Sequence, residues 1–162
     1  MLYSLVNEND PILHKVAEPW DFNNPILDIN ELFDEMIRIM QESKGIGLAA
    51  PQIGISTRVF IFGVEPDMVT ICINPKILSV EEQVKDVEGC LSFPGLYLPI
   101  VRYNKIVVEF YGLNGDKIQR DYSGLLAVAF QHEVDHLDGI TFDSKVSKLV
   151  LDVNLRKRKK RS

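Results

Sequence analysis

The run Gln131-His132-Glu133-Val134-Asp135-His136 constrains this chain more than any other stretch of it. It lies where apolar residues recur at helical spacing. Two of the three histidines stand four positions apart, so a helix projects both imidazoles from one face, one above the other. Such a face offers two nitrogen ligands to one divalent cation, and Glu133, beside the first, reaches a cation-bound water as general base. The competing reading is a histidine pair packed in a core or lying on a solvated face. The metal reading requires a fold that brings a third ligand to this face and keeps one coordination position open for water.

The third ligand is not written next to the first two. A metzincin would carry a histidine six residues beyond His136, where Phe142 stands. A thermolysin-like enzyme would use a later glutamate, and no Glu follows Glu133. Asp138, Asp143 and Asp152 match no such spacing, and His14, in Asp10-Pro11-Ile12-Leu13-His14, reads as a surface residue. Cys72 falls in the β-rich run Val69-Thr70-Ile71-Cys72-Ile73, the setting of an ordinary buried thiol. Cys90 falls in Glu88-Gly89-Cys90-Leu91-Ser92-Phe93-Pro94-Gly95, where Gly and Pro mark irregular backbone able to aim a thiol at a site. Cys90 is the better candidate; another buried free cysteine is the alternative.

A further segment, Gly45-Ile46-Gly47-Leu48-Ala49-Ala50-Pro51-Gln52-Ile53-Gly54, follows a predicted helix. It is not a dinucleotide fingerprint, because Ala50 stands where the third glycine belongs and Pro51 interrupts the pattern. Small residues allow another backbone to approach, which suits an edge where an extended peptide pairs through its main chain. Gln52 adds an amide that can donate to a carbonyl oxygen. On its own the segment also reads as a glycine turn.

Taken together, the blocks Gly45-Ile46-Gly47-Leu48-Ala49-Ala50-Pro51-Gln52, Glu88-Gly89-Cys90-Leu91-Ser92 and Gln131-His132-Glu133-Val134-Asp135-His136-Leu137 resemble the peptide deformylases in order, spacing and chain length. The resemblance runs from Asp10 to about Ser147. It implies removal of the formyl group from the formyl-methionine of nascent chains, releasing formate. It implies Cys90, His132 and His136 as metal ligands with water in the fourth position, and Glu133 as base toward that water and then acid toward the leaving amine. The Leu91 backbone N–H and the Gln52 side chain would donate to the oxyanion. Ferrous iron is the family's physiological metal; this ligand set tolerates it without dictating it, and zinc, nickel or cobalt can substitute. The peptide backbone would pair with Ile46 and Gly47. Leu125, Val128 and Ala129, on the helix before the ligands, would form the apolar pocket for methionine; plain helix core is the alternative for these three. Tyr97 stands near where several bacterial relatives carry a basic residue, which suggests a more apolar rim. Arg102 can pair with Glu88 to brace the Cys90 segment, or form only a surface ion pair.

At 162 residues, 46% of them hydrophobic, one catalytic domain over 1–162 is expected. Two cysteines in unlike settings suggest no disulfide, which fits a reducing cytoplasm. No secretory signal, transit peptide or bilayer-length apolar run is evident. The formal charge of −5 hides an asymmetry, since residues 156–161 are all Lys or Arg. Such a block is usually a solvated tail; by the resemblance it is a docking element for the ribosome. The expected state is a monomer.

Asp10 and Pro11 can open a short helix. Ile29, Leu32, Phe33, Met36, Ile37 and Met40 predict a helix ending before Gly45. Strand-like runs cover 58–64, 69–74, 77–83, 86–90, 104–111 and 117–122, with turns at Asn74-Pro75 and Asn114-Gly115. The ligand helix starts at Ser123 or Gly124 and closes at Gly139, and 148–160 can form a last helix. Residues 3–5 could add an edge strand. The fold class is α+β: antiparallel β-sheets around a central metal-binding helix, with an N-terminal and a C-terminal helix.

Overall fold

A computed structural model describes residues 3–65 and 67–161. The fold is α+β. Five strands form an antiparallel sheet in the order β1 (Gly47–Ala49), β2 (Val59–Phe62), β3 (Thr70–Cys90), β4 (Phe93–Tyr111) and β5 (Lys117–Ser123). Three helices accompany it: α1 (Ile29–Glu42), α2 (Gly124–Leu137) and α3 (Lys148–Arg161).

Strand β2 shows why helices lie on both faces. All four of its residues are buried, and side chains alternate along a strand. Val59 and Ile61 meet Leu32, Met36 and Ile39 of α1; Phe60 and Phe62 meet Phe110 and Phe130 on the α2 side. Phe130 is enclosed edge-to-face by Phe60 at 5.0 Å and Phe62 at 5.6 Å, and burying such a ring contributes about 1.5–3 kcal/mol. Helix α1 begins on Asp28, whose carboxylate accepts from the Asn30 and Glu31 amides. Helix α3 lays Leu151 and Leu155 against Phe93, Leu96, Leu98, Ile100 and Phe142, and carries the basic residues 156–161 as its final turns. Among the described residues no helix is long and apolar enough to cross a membrane.

Several expected boundaries are corrected. The runs 69–74, 77–83 and 86–90 belong to one strand, and Asn74-Pro75 is a bulge rather than a turn: pairing passes from Ile73↔Tyr111 to Lys76↔Glu109. Asn74 tolerates φ 50, and its side chain accepts from Trp20 N and donates to Trp20 O, so the irregular backbone is anchored. Residues 93–103, not predicted as strand, pair with β3 across the two-residue turn Leu91-Ser92. Residues 3–5 form no strand; Tyr3 instead donates to Glu35 and accepts from Arg38 of α1. The short Pro11–His14 helix forms as a 3₁₀ turn capped by Asp10, and His14 is exposed, as expected. Helix α2 does start at Gly124, and the turn after it needs Gly139. Its φ is 70°, and a Cβ there would lie 2.8 Å from the Lys15 carbonyl carbon.

Candidate metal centre

Helix α2 is central because it packs against β1, β2, β4 and β5. Its face toward the β3–β4 turn carries His132 and His136, whose ring centroids lie 5.0 Å apart. Cys90, the last residue of β3, delivers a sulfur to the same place. Its Sγ is 3.3 Å from His136 Nε2, and one ligand atom from each of the three residues lies within 4.8 Å of the others. The other cysteine, Cys72, is fully buried in the core on the α2 side of the sheet, where burial pushes its thiol well up from the usual range.

Each side chain is held by a different part of the fold. Gln52 sits on a 3₁₀ turn (Ala50–Ile53) and is 1% exposed. Its Oε1 accepts from Ala49 N at 2.9 Å, which turns Nε2 toward Ser92 Oγ at 3.1 Å and Cys90 Sγ at 3.6 Å. Glu133 lies against Gly47, whose ideal Cβ position is 2.3 Å from Glu133 Oε1, so only a glycine leaves the carboxylate where it is. Glu88 Oε2 lies 2.9 Å from His132 Nδ1, leaving Nε2 as the nitrogen able to ligate. Glu88 is also clamped by Arg102 at 2.8 and 3.0 Å, with Arg102 only 4% exposed. The Glu88–Arg102 pair is therefore a buried brace, not a surface one.

The electrostatics match a cation site. Burial pushes the Glu133 carboxyl up to about 7, against the pull of the His132 and Arg102 charges. Burial drives His136 well below the usual imidazole range, keeping its lone pair free. Burial acts the same way on His132, but hydrogen bonds to Cys90 and Glu88 outweigh it and hold a ring proton up to about 10. For Glu88, burial resists ionisation, yet hydrogen bonds from His132 and Arg102 hold its carboxyl at about 2. Glu133 Oε2 and His136 Nδ1 are also buried without a hydrogen-bond partner. A thiol with two imidazoles is a donor set for a divalent cation that keeps a position open.

Gln52, Cys90, His132 and Glu133 line a cleft of about 1110 Å³. Ile46, Gly47, Leu91, Leu125, Val128 and Ala129 all line it, so the expected substrate-side residues converge. Leu125 is 57% exposed, which rules out plain helix core for that residue. Sequence reasoning missed the Ser92 hydroxyl that orients Gln52 and the Glu88 contact to His132. Glu88 stands two positions before Cys90, and that period-2 relation was the available signal, although the pairing register shifts between Gly89 and Cys90.

A model of the polypeptide deformylase family matches residues 2–151. The chain belongs to the peptide deformylases. A peptide deformylase of Acidobacterium capsulatum is 42% identical over 165 residues, covering 99% of this chain and 95% of the relative. The crystal structure of a peptide deformylase from Legionella pneumophila superposes with a TM-score of 0.90 at 33% identity, covering 99% of this chain and 95% of that one. A Met-Ala-Ser-bound peptide deformylase from Acinetobacter baumannii superposes at 0.84 with 32% identity, covering 90% and 99%. Peptide deformylases are metal-dependent enzymes that remove N-formyl groups from nascent peptides, and Cys90, His132 and His136 form the candidate metal site of this one.

Proposed function

We propose that residues 1–162 form one catalytic domain that hydrolyses the N-formyl group of formyl-methionyl peptides and nascent chains, releasing formate. The observation that carries this reading is the convergence of the Cys90 sulfur and the His132 and His136 imidazoles beside a buried, unpartnered Glu133 carboxylate. Those three residues would hold one divalent cation, ferrous iron in the cell, with zinc, nickel or cobalt as substitutes. A bound cation supplies Lewis acidity, which brings the pKa of a coordinated water toward neutrality and polarises the formyl carbonyl.

The chain's own residues do the rest. Glu133, poised near neutrality, accepts the proton of the attacking water and passes it to the departing amine. The Leu91 N–H and Gln52 Nε2 donate to the former formyl oxygen as negative charge develops on it, and the hydrogen bond that Ala49 N–H donates to Gln52 Oε1 fixes that amide in advance. Strand β1 is terminal in the sheet order, so Ile46 and Gly47 present main chain at an edge to an extended peptide. Backbone pairing is indifferent to sequence, which suits an enzyme serving many proteins. Leu125, Val128 and Ala129 receive the methionine side chain. The Acinetobacter baumannii relative, bound to Met-Ala-Ser, supports a cleft that takes a methionyl peptide. The enzyme works as a cytoplasmic monomer, and the basic end of α3 contacts ribosomal RNA.

The test replaces Glu133 with Gln and measures metal content together with formate release from a formyl-methionyl peptide. Metal is retained and turnover falls by at least about 100-fold. Undiminished turnover removes Glu133 as the base; loss of the metal makes its role structural.

A further inference from the structure

Arg102 grips two carboxylates at once. Beyond its two bonds to Glu88, its NH1 donates to Asp135 Oδ2, and that same oxygen accepts from Lys145 Nζ at 3.0 Å. A line of charges therefore runs from Lys145 through Asp135, Arg102 and Glu88 to His132 Nδ1. Its outer end is partly exposed, with the Lys145 side chain at 31% and Asp135 at 16%, while Arg102 and Glu88 are shut away from solvent. The reaction chemistry uses the inner end of this line and has no task for Asp135 or Lys145.

We propose that Asp135 is a positioning residue that sets how strongly Glu88 holds His132, and that Lys145 opposes it by sharing the same oxygen. The proposal rests on His132 being a metal ligand. Arg102 has one positive charge to divide between two carboxylates. The more of it Asp135 takes, the more negative charge Glu88 keeps for the His132 N–H. A stronger acceptor at Nδ1 makes the ring a better donor at its other nitrogen and fixes its orientation. Lys145 draws Asp135 the other way and so returns part of Arg102 to Glu88. Burial leaves Arg102 and Glu88 weakly screened, so a change at Asp135 is felt at His132, while the partly exposed Lys145 acts more weakly from the outer end. The sign alternates along the line: removing the Asp135 charge weakens the grip on His132, and removing the Lys145 charge strengthens it.

That alternation is the test, read as Co(II) affinity by competition with a chelator and as the visible absorption of the Co(II)-loaded full chain. Wild type takes up one Co(II) per chain. Asp135→Asn binds about tenfold more weakly, the lower end for loss of an outer hydrogen-bond partner, and Lys145→Met, further out, about threefold more tightly. Both variants shift the absorption band, Lys145→Arg keeps wild-type affinity, and the double variant matches Asp135→Asn, because Lys145 acts only through Asp135. A purely structural role would weaken binding in both single variants; that result, or unchanged affinity in both, overturns the proposal. Should Asp135→Asn fail to fold, Lys145→Met decides alone: tighter binding supports the proposal, and equal or weaker binding overturns it. A wild-type chain that takes up no Co(II) overturns the ligand assignment beneath it instead.

Discussion

The contact between Gly47 and Glu133 yields the sharpest quantitative prediction. An alanine at position 47 would place its methyl 2.3 Å from Glu133 Oε1, 2.8 Å from Cδ and 3.0 Å from Cγ. Ordinary carbon contacts begin near 3.4 Å, so the carboxylate must withdraw by about 1 Å. The chain can make that adjustment, because the obstructing atoms are the end of a side chain and Gly47 has no positive φ to forfeit. Fold stability should stay near wild type, since Gly→Ala at an unstrained position costs the folded state little and narrows the unfolded ensemble by about 0.4–1 kcal/mol.

Catalysis should not be so tolerant. A base displaced by about 1 Å from the proton it takes forfeits roughly 100-fold in rate, equivalent to about 2.7 kcal/mol. The assay is formate release from a formyl-methionyl peptide across substrate concentrations, with metal content, thermal midpoint and the inhibition constant of the deformylated product measured in parallel. The expected result for Gly47→Ala is kcat down about 100-fold, with one metal per chain and product affinity within about threefold of wild type. Since Gly47 is also assigned to backbone pairing, product affinity separates the two roles. A kcat within about threefold of wild type refutes the argument that Glu133 must sit where Gly47 lets it; a fall in product affinity alone moves the effect to the peptide.

Three other outcomes are expected. Arg102→Met strands Glu88 and Asp135 without their shared counter-charge and should cost about 3–5 kcal/mol in denaturant unfolding of the metal-free protein; a loss under 1 kcal/mol would show that water or Lys145 compensates. A thiol reagent should modify one cysteine quickly in the metal-free native protein and none when metal is bound, because Cys72 is wholly enclosed while Cys90 lines the cleft; two fast thiols would contradict this. Removing residues from Arg156 onward should leave hydrolysis of short peptides within about threefold and weaken ribosome binding as a salt-dependent effect. Arg158, which bonds Glu8 at 2.8 Å beside the cleft, makes the first half of that expectation worth measuring: a large loss would give α3 a part in the site itself.

What the sequence made legible follows physical lines. Helix α1 and the ligand helix announced themselves through apolar residues at helical spacing, the second also through its closing Gly139, and both were located to within a residue or two. Of the three site blocks, the His132–His136 run carried its metal reading in its own spacing, whereas the Gly45–Gln52 and Glu88–Ser92 blocks took their meaning from the resemblance to the peptide deformylases. Strand β4 was half missed, since Pro94, Gly95 and Pro99 in 93–103 read as punctuation. Yet Leu96, Leu98, Ile100 and Arg102 alternate inward there, all at 4% exposure or less, and a period-2 count would have found them. The bulge at Asn74 was misread because Asn-Pro is a turn signal wherever no partner strand absorbs it, and the partner lies more than thirty residues away. Asp135 and Lys145 could not be read at all. Their meaning depends on Arg102 arriving from another strand, and no local pattern encodes that meeting.

The three blocks are tied to one another more than to their own neighbourhoods. Gln52 of the first reaches Ser92 and Cys90 of the second. Glu88 and Cys90 of the second reach His132 and His136 of the third. Glu133 of the third rests on Gly47 of the first. Each pair crosses between elements that are far apart in sequence, so the site is a closed triangle whose sides are side-chain contacts and whose corners are a strand edge, a hairpin turn and a helix. Gln52 is held by Ala49 of β1 and Glu133 rests on Gly47 of the same strand, and preorganisation of that sort is what the proposed mechanism needs, with Glu133 first accepting a proton and then returning it elsewhere. It also explains why a chain of this modest size devotes buried charge to the back of the site. Arg102 joins the hairpin corner to the helix corner, and hydrophobic residues there could hold the two apart or together but could not set how negative Glu88 is when it meets His132.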